Sequence, residues 1–365
     1  MEQNKRLTAL AIILFSGGLL AASALLVPGI VNNSVAAKNG PAAVNRTGVH
    51  LTGGTIPVLK VEAPAPVSTV SADLLDGMTE EEIRGIYELL NKPGNEPQMV
   101  GREMSEAEGK RSLVLSDKYV YDGLRPEQPL PLKAGQAEFY LELETHTLYF
   151  PERELTDEEL LQMIDWSYRT MFIASRYNNA DHVTVPPLPQ KFSKAEIKQR
   201  AAESVRKLFD ADVSKLETTV MLHEPGYGIP SFWSVHSAPY KSNTLRGQGK
   251  EYWQYDVMID PETGTMIDTT AANVALKRTP IDAAAAAAVL KDSRWIARAK
   301  QIITDKQGET RAIVKASITG QDVNNKRGMV AVKLVLEDGS SYTAELRYPD
   351  QTLRCLIYEA AGEAE

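Results

Sequence analysis

From Trp253 onward, apolar and polar side chains alternate. Trp253, Tyr255, Val257 and Ile259 fall on one face, Gln254 and Asp256 on the other. A period of two predicts a half-buried antiparallel strand. The stretch DPETG follows, in which Pro261 presets a turn and Gly264 accepts positive φ, and residues 265–270 return as a second strand. The third stretch repeats the device. Val330, Val332, Leu334 and Leu336 alternate, Asp338-Gly339 makes a favoured hairpin turn, and Tyr342, Ala344, Leu346 and Tyr348 alternate after it, with Ser341, Thr343, Glu345 and Arg347 facing water.

Helix starts are marked by a hydroxyl and a carboxylate three residues apart, the capping-box spacing. It occurs at Thr79–Glu82, Thr156–Glu159 and Ser193–Glu196. Acidic residues crowd each first turn, where the helix dipole favours them. An alanine run, Ala283–Ala288, follows Asp282 and continues at helical spacing through Val289, Trp295, Ile296, Ala299, Ile302 and Ile303.

These elements group into three stretches, 73–178, 191–271 and 281–359, divided by proline-bearing breaks at 178–190 and 272–280. In the last two the order is a helix and then four strands: near 218–224, 231–237, 251–260 and 265–270, and near 311–319, 329–337, 340–348 and 353–358. A helix on a four-stranded antiparallel sheet, an α+β layer pair, accounts for both. The first stretch is a candidate third copy with an extra helix at 156–177. In it, LELETHTLYF (141–150) aligns with VMIDPETGTMI (257–267) over Glu-Thr-x-Thr, where x is His146 or Gly264.

The amino terminus changes the picture. Lys5 and Arg6 precede a stretch without charge, and Leu7–Ile30 would span roughly 36 Å as a helix. That matches a bilayer core of about 30 Å with some tilt. Residues 1–37 therefore read as a membrane anchor, or as a cleaved signal segment if Ser34-Val35-Ala36 is a processing site. Both place the bulk of the chain outside the cytoplasm. Residues 38–72, rich in Gly, Pro, Ala, Val and Thr, read as a stalk.

Among 365 residues, 43 % are hydrophobic and 24 % charged, so a core of useful size is available, and the net charge is −8. With no long basic cluster, nucleic acid is not an expected partner. Cys355 is the single cysteine, which excludes an intramolecular disulfide and a cysteine-rich zinc site. Within the alternating run TLRCLIYE it reads as a small buried hydrophobe.

At residues 193–270 the pattern resembles a PepSY domain. The carrying features are the amphipathic helix SKAEIKQRAAESVRKLF, the strand SFWSV and the hairpin YWQYDVMIDPETGTMIDT. The resemblance implies a cystatin-like fold, an extracytoplasmic location and a non-catalytic role, such as restraining a peptidase or regulating events at the cell envelope. It brings no catalytic residues. The chain departs from the pattern by the long insertion HSAPYKSNTLRGQGKE between two strands and by lacking an attached peptidase region.

No Walker loop, nucleophile elbow, H-E-x-x-H or paired C-x-x-C is present. None of His50, His146, His182, His223 and His236 has a second histidine at metal-ligand spacing, so no metal or other cofactor is expected; His223-Glu224 comes closest to a site. The aromatic and basic set is the candidate binding surface: Phe232, Trp233, Tyr240, Tyr252 and Trp253, with Lys241, Arg246 and Lys250 in the 238–250 loop. It suits an acidic partner or an anionic envelope polymer or lipid, with core packing as the alternative for the aromatics. The expectation is a non-catalytic, membrane-anchored extracytoplasmic binding protein acting on a peptidase or another envelope protein. An envelope or spore-associated scaffold and a hydrolase using dispersed carboxylates are the alternatives.

Overall fold

The computed structural model describes residues 72–181, 191–223, 230–274, 276 and 278–361. The expected membrane segment (7–30) and the stalk (38–72, save for its last residue) lie outside them. Among the described residues, no helix is long and apolar enough to cross a membrane.

The amino-terminal part is mainly helical. After a 3₁₀ turn (Ala72–Leu75) come α1 (Glu80–Leu90), β1 (Gln98–Val100), α2 (Glu106–Tyr121), β2 (Tyr140–Glu142), β3 (Thr147–Tyr149) and α3 (Asp157–Asp181). β1 pairs parallel with β3, and β3 antiparallel with β2. This three-stranded sheet is not the four-stranded layer expected of a third copy. Its strands are three residues long, too short to carry a buried face of their own, and the core forms mainly between helices and loops: Tyr119, Phe139, Phe150, Leu155, Leu160 and Tyr168 pack together, with Leu141 the contribution of β2. The Glu-Thr-x-Thr alignment nevertheless marks equivalent turns. His146 (φ 51) and Gly264 (φ 72) both occupy the left-handed region between two hairpin strands.

The rest of the chain builds one eight-stranded sheet. Its elements are α4 (Lys194–Phe209), β4 (Glu217–His223), β5 (Phe232–Ala238), α5 (Ser242–Gly247), β6 (Trp253–Ile259) and β7 (Met266–Asn273). After them come α6 (Ala283–Lys291), α7 (Arg294–Gln301), a π-helical turn (Ile302–Gln307), β8 (Ile313–Thr319), α8 (Gln321–Lys326), β9 (Met329–Leu336), β10 (Ser341–Arg347) and β11 (Leu353–Glu359). The strand order is β4-β5-β6-β7-β11-β10-β9-β8, antiparallel throughout. Two four-stranded meanders, each preceded by helix, thus meet edge to edge. The joint is the pairing of their last strands: Asp268 with Ile357, Thr269 with Leu356, and Thr270 with Cys355.

One face of this sheet carries the helices. Ile197, Ala201 and Val205 of α4 pack on Trp233, Val235, Tyr255, Val257 and Ile259. Trp295 and Ala299 of α7, with Ile302 and Ile303, pack on Val332, Leu334, Ala344, Leu346 and Leu356. Leu208 at the end of α4 joins the second cluster, and Lys306 donates to the Leu208 carbonyl and to Asp210, so the helical layer is continuous too. The long helix expected from residue 283 is broken at Asp292, whose backbone is extended (ψ 99) and whose carboxylate accepts from the Arg294 amide at 3.0 Å. The three capping boxes form as expected: Thr79 with Glu82, Thr156 with Glu159 and Ser193 with Glu196.

The β6–β7 turn shows why its sequence is so regular. The Asp260 carboxylate accepts from the amides of Glu262 and Thr263, and the Gly264 amide donates to the Asp260 carbonyl at 2.9 Å. A Cβ on Gly264 would sit 3.0 Å from both Phe192 and Arg200, where the start of α4 covers the turn. Gly264→Ala combines a left-handed backbone with that crowding. It is expected to cost about 1–2 kcal/mol in urea unfolding, with the slope unchanged.

Candidate functional site: the sheet junction

Cross-strand register gives the opposite, helix-free face a continuous line across all eight strands. Thr219 pairs with His236, His236 with Asp256, Asp256 with Thr270, Thr270 with Cys355, Cys355 with Glu345, Glu345 with Ala331, and Ala331 with Thr319. Paired residues share a face, and most of this line is polar. His236 Nδ1 lies 2.7 Å from an Asp256 carboxylate oxygen.

The line passes through a cleft of about 190 Å³ where the two meanders join. Asp268 and Thr270 of β7, Cys355 and Ile357 of β11, Glu345 of β10 and Met329 of β9 line it, together with Arg278, Arg327 and Arg354. The arginines come from three separate segments. Arg354 is the extra residue of a β-bulge: Glu345 pairs with Cys355 and Leu346 with Leu353, leaving Arg354 unmatched. Bulges re-aim a side chain in this way. Arg327 follows α8 and makes a bidentate pair with Glu345, at 3.1 Å for each contact. Arg278 lies on the linker between the meanders, which is pinned against the start of β9. The Ile281 amide donates to the Asn325 carbonyl at 2.9 Å, and a Cβ on Gly328 would come within 2.4 Å of the Thr279 carbonyl oxygen.

The electrostatics follow from crowding. Burial, then the neighbouring Arg278 and Arg347, push Arg354 down to about 10, and burial followed by Arg327 lowers Arg278. Arginine does not lose its proton in this range, so both guanidinium groups stay charged in the cleft, with Glu345 acting in their favour. Burial raises the Asp268 carboxyl to about 6, although Thr270 and Cys355 both donate to it. Burial also pushes the Cys355 thiol upward, so it is an unreactive thiol, as its place in the strand suggested.

The residues expected to form a binding surface are dispersed. Trp233 is 1 % exposed within the core under α4, and Trp253 packs half-buried on the same core. Phe232 is buried and stacks on His223, with ring centroids 4.5 Å apart. Tyr252 is buried as well. His223 Nε2 lies 2.8 Å from Ser234 Oγ, and Glu224 is outside the described residues. The aromatics are therefore mostly packing, because strand alternation sends Trp233 and Tyr255 inward to the helices.

The basic 238–250 loop is not a free patch either: the acidic partner it meets is this chain's own α2. Lys241 pairs with Asp122 at 2.7 Å, Tyr240 packs edge-on against Tyr121 at 4.8 Å, and the Tyr121 hydroxyl donates to Glu217. Lys241 is the N-cap of α5 but offers no side-chain acceptor. Asp117 of α2, 2 % exposed, takes over by accepting from the Thr244 amide at 2.5 Å. Only Arg246, half-buried, and Lys250, exposed, remain outside these pairings. Gly247 lets the helices touch, since a Cβ there would lie 2.9 Å from the Lys110 carbonyl oxygen. Gly247→Ala is expected to part α2 from α5, seen as faster amide exchange at Thr244 with the β6–β7 amides unchanged.

No family model, curated protein or solved structure matches this chain.

Proposed function

We propose that the chain is a non-catalytic, membrane-anchored extracytoplasmic binding protein. It uses the helix-free face of its eight-stranded sheet to restrain a peptidase or to regulate another cell-envelope protein. The observation that carries this reading is the junction cleft. Its charges are arranged to hold something rather than to move a proton. Glu345 is engaged by Arg327 and Asp268 by Thr270 and Cys355, while the groups left over are guanidinium ions. The resemblance of residues 193–270 to a PepSY domain supports the same class of function, and the charge-free stretch after Arg6 supports the location.

The test is in-cell crosslinking of the tagged full-length chain beside a double variant, Met258→Glu with Thr343→Glu. Both side chains lie half-buried on the helix-free face; neither lines the cleft itself, but their cross-strand partners Asp268 and Ile357 do, so the variant places two carboxylates at its border. Capture of one envelope protein by the wild type and its loss in the variant is the expected result. Equal capture by both would overturn the assignment of the face. It would favour the scaffold reading, which the consumption of the 238–250 loop in an internal contact already supports.

A further inference from the structure

Two of the three arginines in the junction cleft lack a direct acidic partner. Arg327 is matched by Glu345. Arg278 and Arg354 have no ion-pair or hydrogen-bond partner among the described residues, yet both line the same cavity. Arg354 is turned into it by a bulge, and Arg278 is carried to it by a linker clamped at Gly328 and Asn325. A planar guanidinium pair with fixed backbone anchors is the usual way to bind an oxyanion with charge and geometry together. We infer that the junction cleft binds a doubly charged tetrahedral oxyanion, the phosphate group of a monoester or inorganic phosphate, held by Arg278 and Arg354 with Arg327 fixed alongside. The inference deepens the reading of this chain as a binding protein by giving that face a ligand chemistry.

Asp268 sets the pH response of the site. Its cross-strand partners are Met258 on β6 and Ile357 on β11; Asp256 and Cys355 are its diagonal neighbours on those strands, Glu345 on β10 and the three arginines share its cleft, and His236 on β5 lies beyond Asp256. With a carboxyl raised to about 6, it opposes an incoming anion at pH 7.5 and carries a proton at pH 5.0. Sulfate keeps its double charge across this range, so any change in its affinity reports on the protein. Removing one negative charge a few ångströms away at an effective dielectric near 20 is worth roughly tenfold or more in affinity.

The experiment is calorimetric titration of the full-length chain in a neutral detergent with sulfate at pH 7.5 and 5.0. Arg278→Ala, Arg354→Gln, Asp268→Asn and the exposed control Arg84→Ala are titrated beside it, with circular dichroism confirming the fold of each. Expected is one saturable site that weakens at least tenfold in either cleft arginine variant and not in Arg84→Ala. It tightens about tenfold at pH 5.0 in the wild type and is level across pH in Asp268→Asn. Arg278 is on the exposed linker, so its variant decides the matter even if Arg354→Gln folds poorly. Absence of a saturable site, or equal binding in Arg278→Ala and the wild type, overturns the inference. Inorganic phosphate and vesicles containing phosphatidic acid then separate the sources: arginine-dependent binding of free phosphate alone assigns a soluble ligand, and of the vesicles a lipid headgroup. If sulfate fails to bind while the face variant still loses its captured partner, the anion site falls and the binding function stands; the converse result removes the partner and leaves the site.

Discussion

Trp233→Ala is expected to destabilise the sheet domain by about 3–5 kcal/mol, measured by urea unfolding of the full-length chain. Trp233 is the largest of the fully buried side chains and sits between β5 and the inner face of α4, among Ile197, Val205, Tyr255 and Ile259. The loss has two parts: the transfer of the indole out of water and the cavity left when its neighbours relax only partly. A tryptophan on a binding surface would behave differently. Its removal would leave stability within about 0.5 kcal/mol and weaken partner capture instead. The two outcomes are cleanly separated, so one unfolding curve decides between core and contact for the most conspicuous aromatic in this part of the sequence.

Glu108→Ala is expected to unfold the amino-terminal helical part preferentially, at a cost of about 3–5 kcal/mol. Glu108 has no exposed surface, and its carboxylate is the meeting point of several donors. Arg102 reaches it through two nitrogens, at 2.6 and 2.8 Å, and the amides of Ser105 and Leu155 each donate to it at 2.6 Å. Truncation leaves two backbone amides without their acceptor and takes the paired carboxylate from a guanidinium only 20 % exposed, which keeps just the main-chain carbonyls of Glu103, Pro151 and Arg153 as hydrogen-bond acceptors. The pH dependence has a definite sign. Burial alone would raise the carboxyl, but the hydrogen bonds from Arg102, Leu155 and Ser105 outweigh it and hold it at about 2, below its ordinary 4.5. A group depressed on folding stabilises fully above its unfolded value and loses that contribution as pH falls through its folded one. Wild-type stability in this part should therefore decline between pH 4.5 and 2. Glu108→Ala should lack that component of the decline, as followed by tyrosine fluorescence during acid titration.

Much of the sheet was legible because its information is local. Alternation and turn residues are enough to place β4 to β11 within two or three residues, and the S/T-x-x-E spacing places three helix starts. The same spacing at Ser105–Glu108 also makes a capping box, but Gly109, Lys110 and Arg111 follow it instead of an apolar run, so nothing local marks it as a helix start. What could not be read is non-local. Lys241 looked free because its partner Asp122 is 119 residues away. The pairing of β7 with β11 rests on three residue pairs whose local patterns say nothing about their neighbours. The cleft is harder still: Arg354 enters it because a bulge interrupts the alternation by which a strand residue's face is normally assigned, and Arg278 and Arg327 lie in connections with no periodicity at all. The only local hint was that Glu345 and Arg347 turn away from the core.

The joint between the meanders has the form of a subunit interface. Last strand meets last strand, antiparallel, as two separate copies of one helix-and-four-strand unit would meet about a two-fold axis. The axis of that relation passes between Thr269 and Leu356, and it makes Asp268 of one half the counterpart of Cys355 in the other. In a homodimer any residue so close to the axis faces itself: two aspartates would repel, and two cysteines would be poised to cross-link. Carrying both halves in one chain lifts this constraint, and the place where like would meet like holds a thiol donating to a carboxylate instead. Asymmetry at the centre, which a symmetric pair of chains cannot have, is what allows an arginine-rich cleft to lie on one side of the joint.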